Sequence, residues 1–154
     1  MAVAKRGRES RSWSIMPIAG IDYDEIAKVW REAGLSVRRS GRDARPAFVQ
    51  QLSHFPDQYL KAVTYGRIVG VVFGTHDWRK GWINRLGVLP EYRRRGVGTA
   101  LVLACDKAIR GHGIGIVSAL IDEGNHASAA FFEKMGYLTD VPVMYYRKLD
   151  RSDI

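Results

Sequence analysis

One stretch limits what this chain can become more than any other. It runs from Ile83 to Leu103 and reads as strand, turn, glycine-rich loop and helix. Ile83 to Leu89 is apolar enough for a buried strand. Pro90 ends it, because proline has no amide hydrogen to give to a ladder. Arg93, Arg94 and Arg95 follow, then Gly96 and Gly98, and a helical pattern starts at once. A helix start leaves amides unpaired, and its dipole favours negative charge. Gly96 and Gly98 carry no Cβ, so a ligand can come close to the backbone. The arginines add positive charge on one rim. The combination describes a phosphate site; on this stretch alone, a plain helix start with solvated arginines stays open.

Two familiar phosphate loops are excluded. A Walker A loop ends in Gly-Lys-Ser/Thr, whereas Gly98 is followed by Thr99 and Ala100. The dinucleotide fingerprint needs Gly or Ala three residues after Gly98, where Leu101 stands. The pattern Arg93-x-x-Gly96-x-Gly98, with Leu86-Gly-Val-Leu-Pro-Glu-Tyr92 before it, resembles motif A of the GCN5-related N-acetyltransferases. A second stretch, Asn125 to Tyr137, resembles motif B of that family: Asn125, Ser128, Phe131, Gly136 and Tyr137 match in spacing. Phe132 departs from it, since a tyrosine is frequent there. The resemblance covers Tyr59 to Lys148 well and the earlier chain only in outline.

The remaining chain fits an α+β layout. Ser12 to Ile18 alternates loosely and predicts a first strand. Asp22 or Asp24 can cap a helix carrying Ile26, Val29, Trp30 and Ala33, with Gly34 as its stop. Ser36 to Arg45 is a basic, polar loop. Pro46 to Leu52 predicts a second helix with Phe48, Val49 and Leu52 facing inward. Tyr59–Thr64, Ile68–Gly74 and Trp82–Leu89 form an antiparallel meander joined by turns at Tyr65-Gly66-Arg67 and Trp78 to Gly81. Gly70 marks a bulge or a close neighbour. Val97, Leu101, Cys105, Ala108 and Ile109 make one apolar stripe on the helix after the loop. Cys105 on that stripe reads as a core thiol rather than a nucleophile. Gly113 to Ile121 is a strand, and strand–helix–strand implies a parallel crossover. A last strand is expected over Val141 to Lys148.

At 154 residues the chain is long enough for one domain, expected over residues 12–150. The net charge of +8 suggests acidic ligands. Residues 1–11 hold part of that excess and read as a disordered basic tail without a role of its own. The single cysteine permits no intrachain disulfide. No apolar signal-peptide core and no membrane-length apolar run occur, so a cytoplasmic protein without membrane contact is expected. No His/Cys cluster supports a metal, and no Gly-x-Ser-x-Gly elbow supports a hydrolase.

The resemblance implies a three-layer fold: a mixed sheet of six to seven strands, helices on both faces, an antiparallel N-terminal meander and a parallel pair that splays at the coenzyme. It implies acetyl transfer from acetyl-coenzyme A to an amine. Backbone at Leu86, Gly87 and Val88 would hold pantetheine and the thioester oxygen. Arg93, Arg94, Arg95, Gly96, Val97, Gly98 and Thr99 would hold the pyrophosphate, with Asn125, Ser128 and Phe131 completing the coenzyme site. The acceptor, a small molecule or a protein amine, is not legible. An amine with a pKa of ~10.4 must lose a proton, and Glu91, Asp122, Glu123, His76, Asp77 and His126 are candidate bases, Glu91 being the one chosen. The usual tyrosine proton donor is absent because Phe132 cannot donate, which leaves water, Ser128 or Tyr137, the last being chosen. Two other readings remain: a coenzyme-A-binding sensor without turnover, and a nucleic-acid binder, which lacks any zinc, stacking or helix-turn-helix signature. Exposed strand edges leave a homodimer open.

Overall fold

A computed structural model describes residues 12–139 and 142–152. Its centre is a five-stranded sheet in chain order: β1 (Ser14–Pro17), β2 (Tyr59–Thr64), β3 (Arg67–His76), β4 (Gly81–Val88) and β5 (Val117–Ala119). The first four strands are antiparallel, and β4 and β5 are parallel. The meander follows from its turns. Tyr65 and Gly66 both take positive φ, 47° and 72°, which matches the twist of a tight hairpin.

Helices cover both faces. On one lie α1 (Tyr23–Glu32) and α2 (Arg45–His54). Ile26, Val29 and Trp30 of α1 are buried, as their spacing predicts. Phe48 of α2 packs on Tyr23 of α1 and reaches the sheet at Phe73, with ring centroids 5.3 and 6.0 Å away. Val49 does not face inward; it is exposed, because the next residue of a helix turns about 100° away from the face on which Phe48 is buried. On the other face lies α3 (Val97–Gly111), burying Val97, Leu101, Val102, Cys105 and Ile109. It settles on sheet glycines. A Cβ at Gly70 would press on Leu101 and Val97, and one at Gly74 on Cys105 and Ile109. Gly70 also borders a bulge, where Val69 lies between the pairs Ala62↔Gly70 and Val63↔Ile68. The short α4 (His126–Lys134) follows β5.

Two expectations about the sheet need correction. It has five strands among the described residues, not six to seven. Residues 142–149 run without strand pairing, and Val143, Met144, Tyr145 and Tyr146 are exposed. A segment apolar on both sides has the composition of a strand, but it becomes one only where a neighbour supplies ladder bonds. The strand expected over Gly113 to Ile121 shortens to Val117–Ala119. Residues 1–11 lie outside the described residues.

Candidate functional site

The end of β4 shapes the site. Val71 pairs with Gly87 and Phe73 with Asn84, so β4 carries one residue more than β3 between those pairs. This is a β-bulge, with Arg85 at φ 52°. The parallel ladder stops just before it. Gly81, Trp82 and Ile83 pair with Val117, Ser118 and Ala119, and β5 ends there. From Arg85 to Val88, the side of β4 that faced β5 has no partner strand among the described residues. The two strands part where the bulge bends one of them.

The glycine loop closes over that gap. A 3-10 turn at Pro90–Tyr92 reverses the chain after Leu89. Arg94 and Gly96 then take left-handed φ values of 58° and 87°, and Gly96 becomes the N-cap of α3 without any side-chain cap. The first amide bonded into the helix is that of Ala100, to the Gly96 carbonyl at 3.0 Å. Among the described residues, no protein acceptor meets the amides of residues 94 to 99. They form a cluster of donors on the positive end of a 15-residue helix.

The three arginines divide their work. Arg93 is bound inward: its Nε donates to the Val88 carbonyl and its Nη2 to the Ala33 carbonyl, both at 3.2 Å. It ties the loop to the end of β4 and to the residue that ends α1. Arg94 and Arg95 are exposed, the latter 5.7 Å from the Tyr92 ring. Motif B meets the loop at one point. A Cβ built on Gly98 would stand 3.6 Å from Phe131 and 3.7 Å from Val88. Asn125 caps α4, its Oδ1 accepting from the Ser128 amide at 3.2 Å. Val88, Gly98 and Phe131 therefore converge, while Asn125 and Ser128 fix the helix that delivers Phe131.

The candidate acids and bases are scattered. Glu91 is ion-paired with Arg67 at 3.3 Å. Asp122 and Glu123 are exposed ahead of α4, and His126 is exposed as its first residue. His76 and Asp77 sit at the β3–β4 hairpin, and the eight residues of β4, at about 3.3 Å each, separate them from Val88. The Asp77 carboxyl is held below its ordinary range by the amides of Lys80 and Arg79, a turn-forming role. Phe132 is buried with edge-on contacts to Phe131 and Tyr137 at 5.2 and 5.0 Å. The Tyr137 hydroxyl is buried without a hydrogen-bond partner among the described residues. Burial, then the nearby Asp106 and Cys105, push it up to about 12. That neighbourhood lies about two helical turns along α3 from the loop. The Cys105 thiol is fully buried and pushed up to about 12, first by burial and then by Asp106 and Asp57. It is a core thiol, as its stripe position predicts.

Sequence reasoning missed a second concavity, on the α1–α2 side of the sheet. Trp30, Asp43, Tyr59, Phe73, Asn84 and Arg85 are among the residues that line it. The available signal was the polar pair Asn84-Arg85 inside an otherwise apolar strand.

Comparison with known proteins agrees with this geometry. Residues 23–137 match the model of the acetyltransferase (GNAT) family. An acetyltransferase of Yersinia pestis strain Pestoides F is 31% identical over 128 residues, which is 83% of this chain and 89% of that protein. One of Photorhabdus laumondii is 31% identical over 116 residues, covering 75% and 80%. Among solved structures, the PaiA N-acetyltransferase of Thermoplasma acidophilum in complex with coenzyme A superposes with a TM-score of 0.75 at 18% identity, covering 84% of this chain and 91% of that one. Naa20 of Chaetomium thermophilum, in complex with a bisubstrate analogue, gives 0.68 at 19% identity, covering 79% and 69%. The chain belongs to the GNAT acetyltransferase family. It is an acyltransferase with acetyl-coenzyme A as co-substrate. No described helix is long and apolar enough to cross a membrane.

Proposed function

We propose that this chain moves the acetyl group of acetyl-coenzyme A to a primary amine by direct attack within a ternary complex. The observation that carries the reading is the parting of β4 and β5 beside a loop of open amides. Pantetheine lies along the unpaired backbone of Leu86, Gly87 and Val88, as an added strand would. The amides of Arg94, Arg95, Gly96, Val97, Gly98 and Thr99 hold the pyrophosphate, and the exposed Arg94 and Arg95 side chains face its remaining charge. Arg93 acts on the loop rather than on the phosphates, since both its bonds go to carbonyls. Phe131 walls the coenzyme from α4, held there by the cap of Asn125 on Ser128.

In the chemical step the neutral amine attacks the thioester carbon. The C–N bond forms, the C–S bond breaks, and the coenzyme departs as a thiolate. An amide aimed from the bulged backbone stabilises the tetrahedral oxyanion. The amine's proton passes to water. Glu91 can receive it only after giving up Arg67, and the Tyr137 hydroxyl faces α3. The thiolate leaves without a side-chain donor. With a thiol pKa of ~8.5, this costs about 2 kcal/mol at neutral pH.

The test is calorimetric titration with acetyl-coenzyme A, followed by thiol release across a broad amine panel. Saturable binding that Gly98→Glu abolishes, in a variant with unchanged circular dichroism, is the expected result. Binding of wild-type strength in that variant would remove the loop from the site. Coenzyme binding without thiol release from any amine would favour the sensor reading.

A further inference from the structure

The cleft on the α1–α2 side opens beside the bulge. It has a volume of about 260 Å³, and its lining includes Trp30 of α1, Asp43 of the α1–α2 loop and Tyr59, Phe73 and Arg85 of the sheet. Arg85 is one residue before Leu86, about 3.3 Å along the strand, so the cleft adjoins the backbone assigned above to the thioester. Pockets for drug-sized ligands run to about 300–1,000 Å³; this one suits a smaller molecule. Its walls are aromatic, with Tyr59 stacked on Phe73 at 4.0 Å and Trp30 edge-on to Phe73 at 5.2 Å.

The polar groups in these walls are unbalanced. Nε and Nη2 of Arg85 and Nε1 of Trp30 are buried, and none has a hydrogen-bond partner among the described residues. Arg85 stacks on Trp30, its Cζ 4.2 Å from the ring centroid, and Nη1 is anchored on the Ser36 carbonyl at 2.8 Å. Asp43 answers this demand only in part, as an ion pair without a hydrogen bond to Arg85. Its Oδ2 accepts from the Arg38 amide at 2.8 Å, and its Oδ1 stays 3.6 Å from Nη2. Burial, the leading influence, lowers the Arg85 guanidinium's affinity for its proton. A buried donor left unpaired is destabilising, and an incoming acceptor relieves it. The positive φ of Arg85 is what turns this side chain onto the cleft face beside Asn84. Arg42 adds a second positive charge to the lining.

We propose that the cleft receives the acceptor, and that the acceptor is a small amine carrying a carboxylate, held through Arg85. This rests on the acetyl-transfer reading above. A carboxylate brings acceptor oxygens to walls with surplus N–H groups, and its charge meets Arg85 and Arg42 against Asp43 alone. An apolar body between amine and carboxylate would contact the aromatic rings. The same balance disfavours polycations: two arginines repel a polyamine, and Asp43 is already engaged.

The experiment measures kcat/KM by thiol release for L-phenylalanine, 4-aminobutyrate, their carboxamide counterparts and spermidine. Each is run with the wild type, Arg85→Gln, Arg85→Lys and Arg42→Gln. Acetyl-coenzyme A affinity is measured in parallel as a check on folding. The expected wild-type result is at least a tenfold preference for acid over carboxamide. Arg85→Gln erases it, Arg85→Lys retains part, and Arg42→Gln reduces it severalfold. Equal use of acids and carboxamides, a preference unmoved by Arg85→Gln, or spermidine as the best substrate would overturn the assignment while leaving acetyl transfer intact. Coenzyme binding with none of these amines consumed overturns this assignment, and the acetyl-transfer reading falls with it only if the broad amine panel also releases no thiol.

Discussion

Gly96 and Gly98 sit two positions apart, yet they are glycines for different reasons. Gly96 needs its backbone freedom: its φ of 87° costs an L-residue about 1–2 kcal/mol. Gly98 has ordinary helical geometry, and an added Cβ would meet only van der Waals contacts with Phe131 and Val88. Its missing side chain matters to whatever approaches the amides. Gly96→Ala should therefore lower stability by about 1–2 kcal/mol. Gly98→Ala should hold or raise it, by up to about 1 kcal/mol from helix propensity. Both should weaken acetyl-coenzyme A, Gly98→Ala by at least about tenfold, or ~1.4 kcal/mol. Thermal melts and calorimetric titration separate the two effects. If Gly98→Ala binds the coenzyme at wild-type strength, close approach at residue 98 is no part of recognition. The arginines show how far residue types carry such an argument. Their charge was legible, but the inward bonds of Arg93 depend on the carbonyls of Val88 and Ala33, which only the fold brings within reach.

At the scale of elements, α3 is seated by what the sheet lacks. Gly74 faces Cys105 so closely that a Cβ there would press on the sulfur. Gly74→Ala should lose about 1–3 kcal/mol by overpacking, measured by urea unfolding. In combination with Cys105→Ala the loss should shrink by at least about 1 kcal/mol, because the atom in the way is gone. Strict additivity of the two changes would mean that α3 is not held at this distance. The elements legible in the sequence are those with local signals. The meander has turn residues between its strands, α3 a glycine loop before it and an apolar stripe along it, and α4 its Asn125 cap. The bulge at Arg85 was not legible, because an extra residue exists only relative to the partner strand. The length of β5 was misread for a related reason. Ile114 to Ile121 is mostly apolar, but β4 offers it a straight edge only up to Ile83. The cleft beside the bulge, drawn from α1, α2, the loop between them and three strands, leaves no local trace except Asn84 and Arg85 inside a strand.

The molecule as a whole keeps two ionisable groups dry on opposite faces of one sheet. Cys105 lies under α3, and Tyr59 is stacked on Phe73 beneath α2. Burial pushes each of them up to about 12. In the unfolded chain a thiol releases its proton near pH ~8.5 and a phenol near ~10. The native protein therefore binds protons that the unfolded chain gives up. The stability tied to these groups is fully present below those unfolded values and is lost as pH rises through about 12. Urea unfolding should show stability nearly flat from pH 7 to about 7.5, then falling by about 1–4 kcal/mol per pH unit between roughly 9.5 and 11.5, one to three protons being released on unfolding once the buried Tyr137 phenol is counted with these two. Self-repulsion predicts the opposite trend. The chain carries +8 at neutral pH, and titration towards its isoelectric point near 9.9 reduces that charge and should stabilise it. Cys105→Ala supplies the control: it should remove about one proton from the pH slope. A slope identical with and without Cys105 would mean that the thiol is not sealed from water, and that α3 does not close on the sheet as tightly as its glycine seat requires.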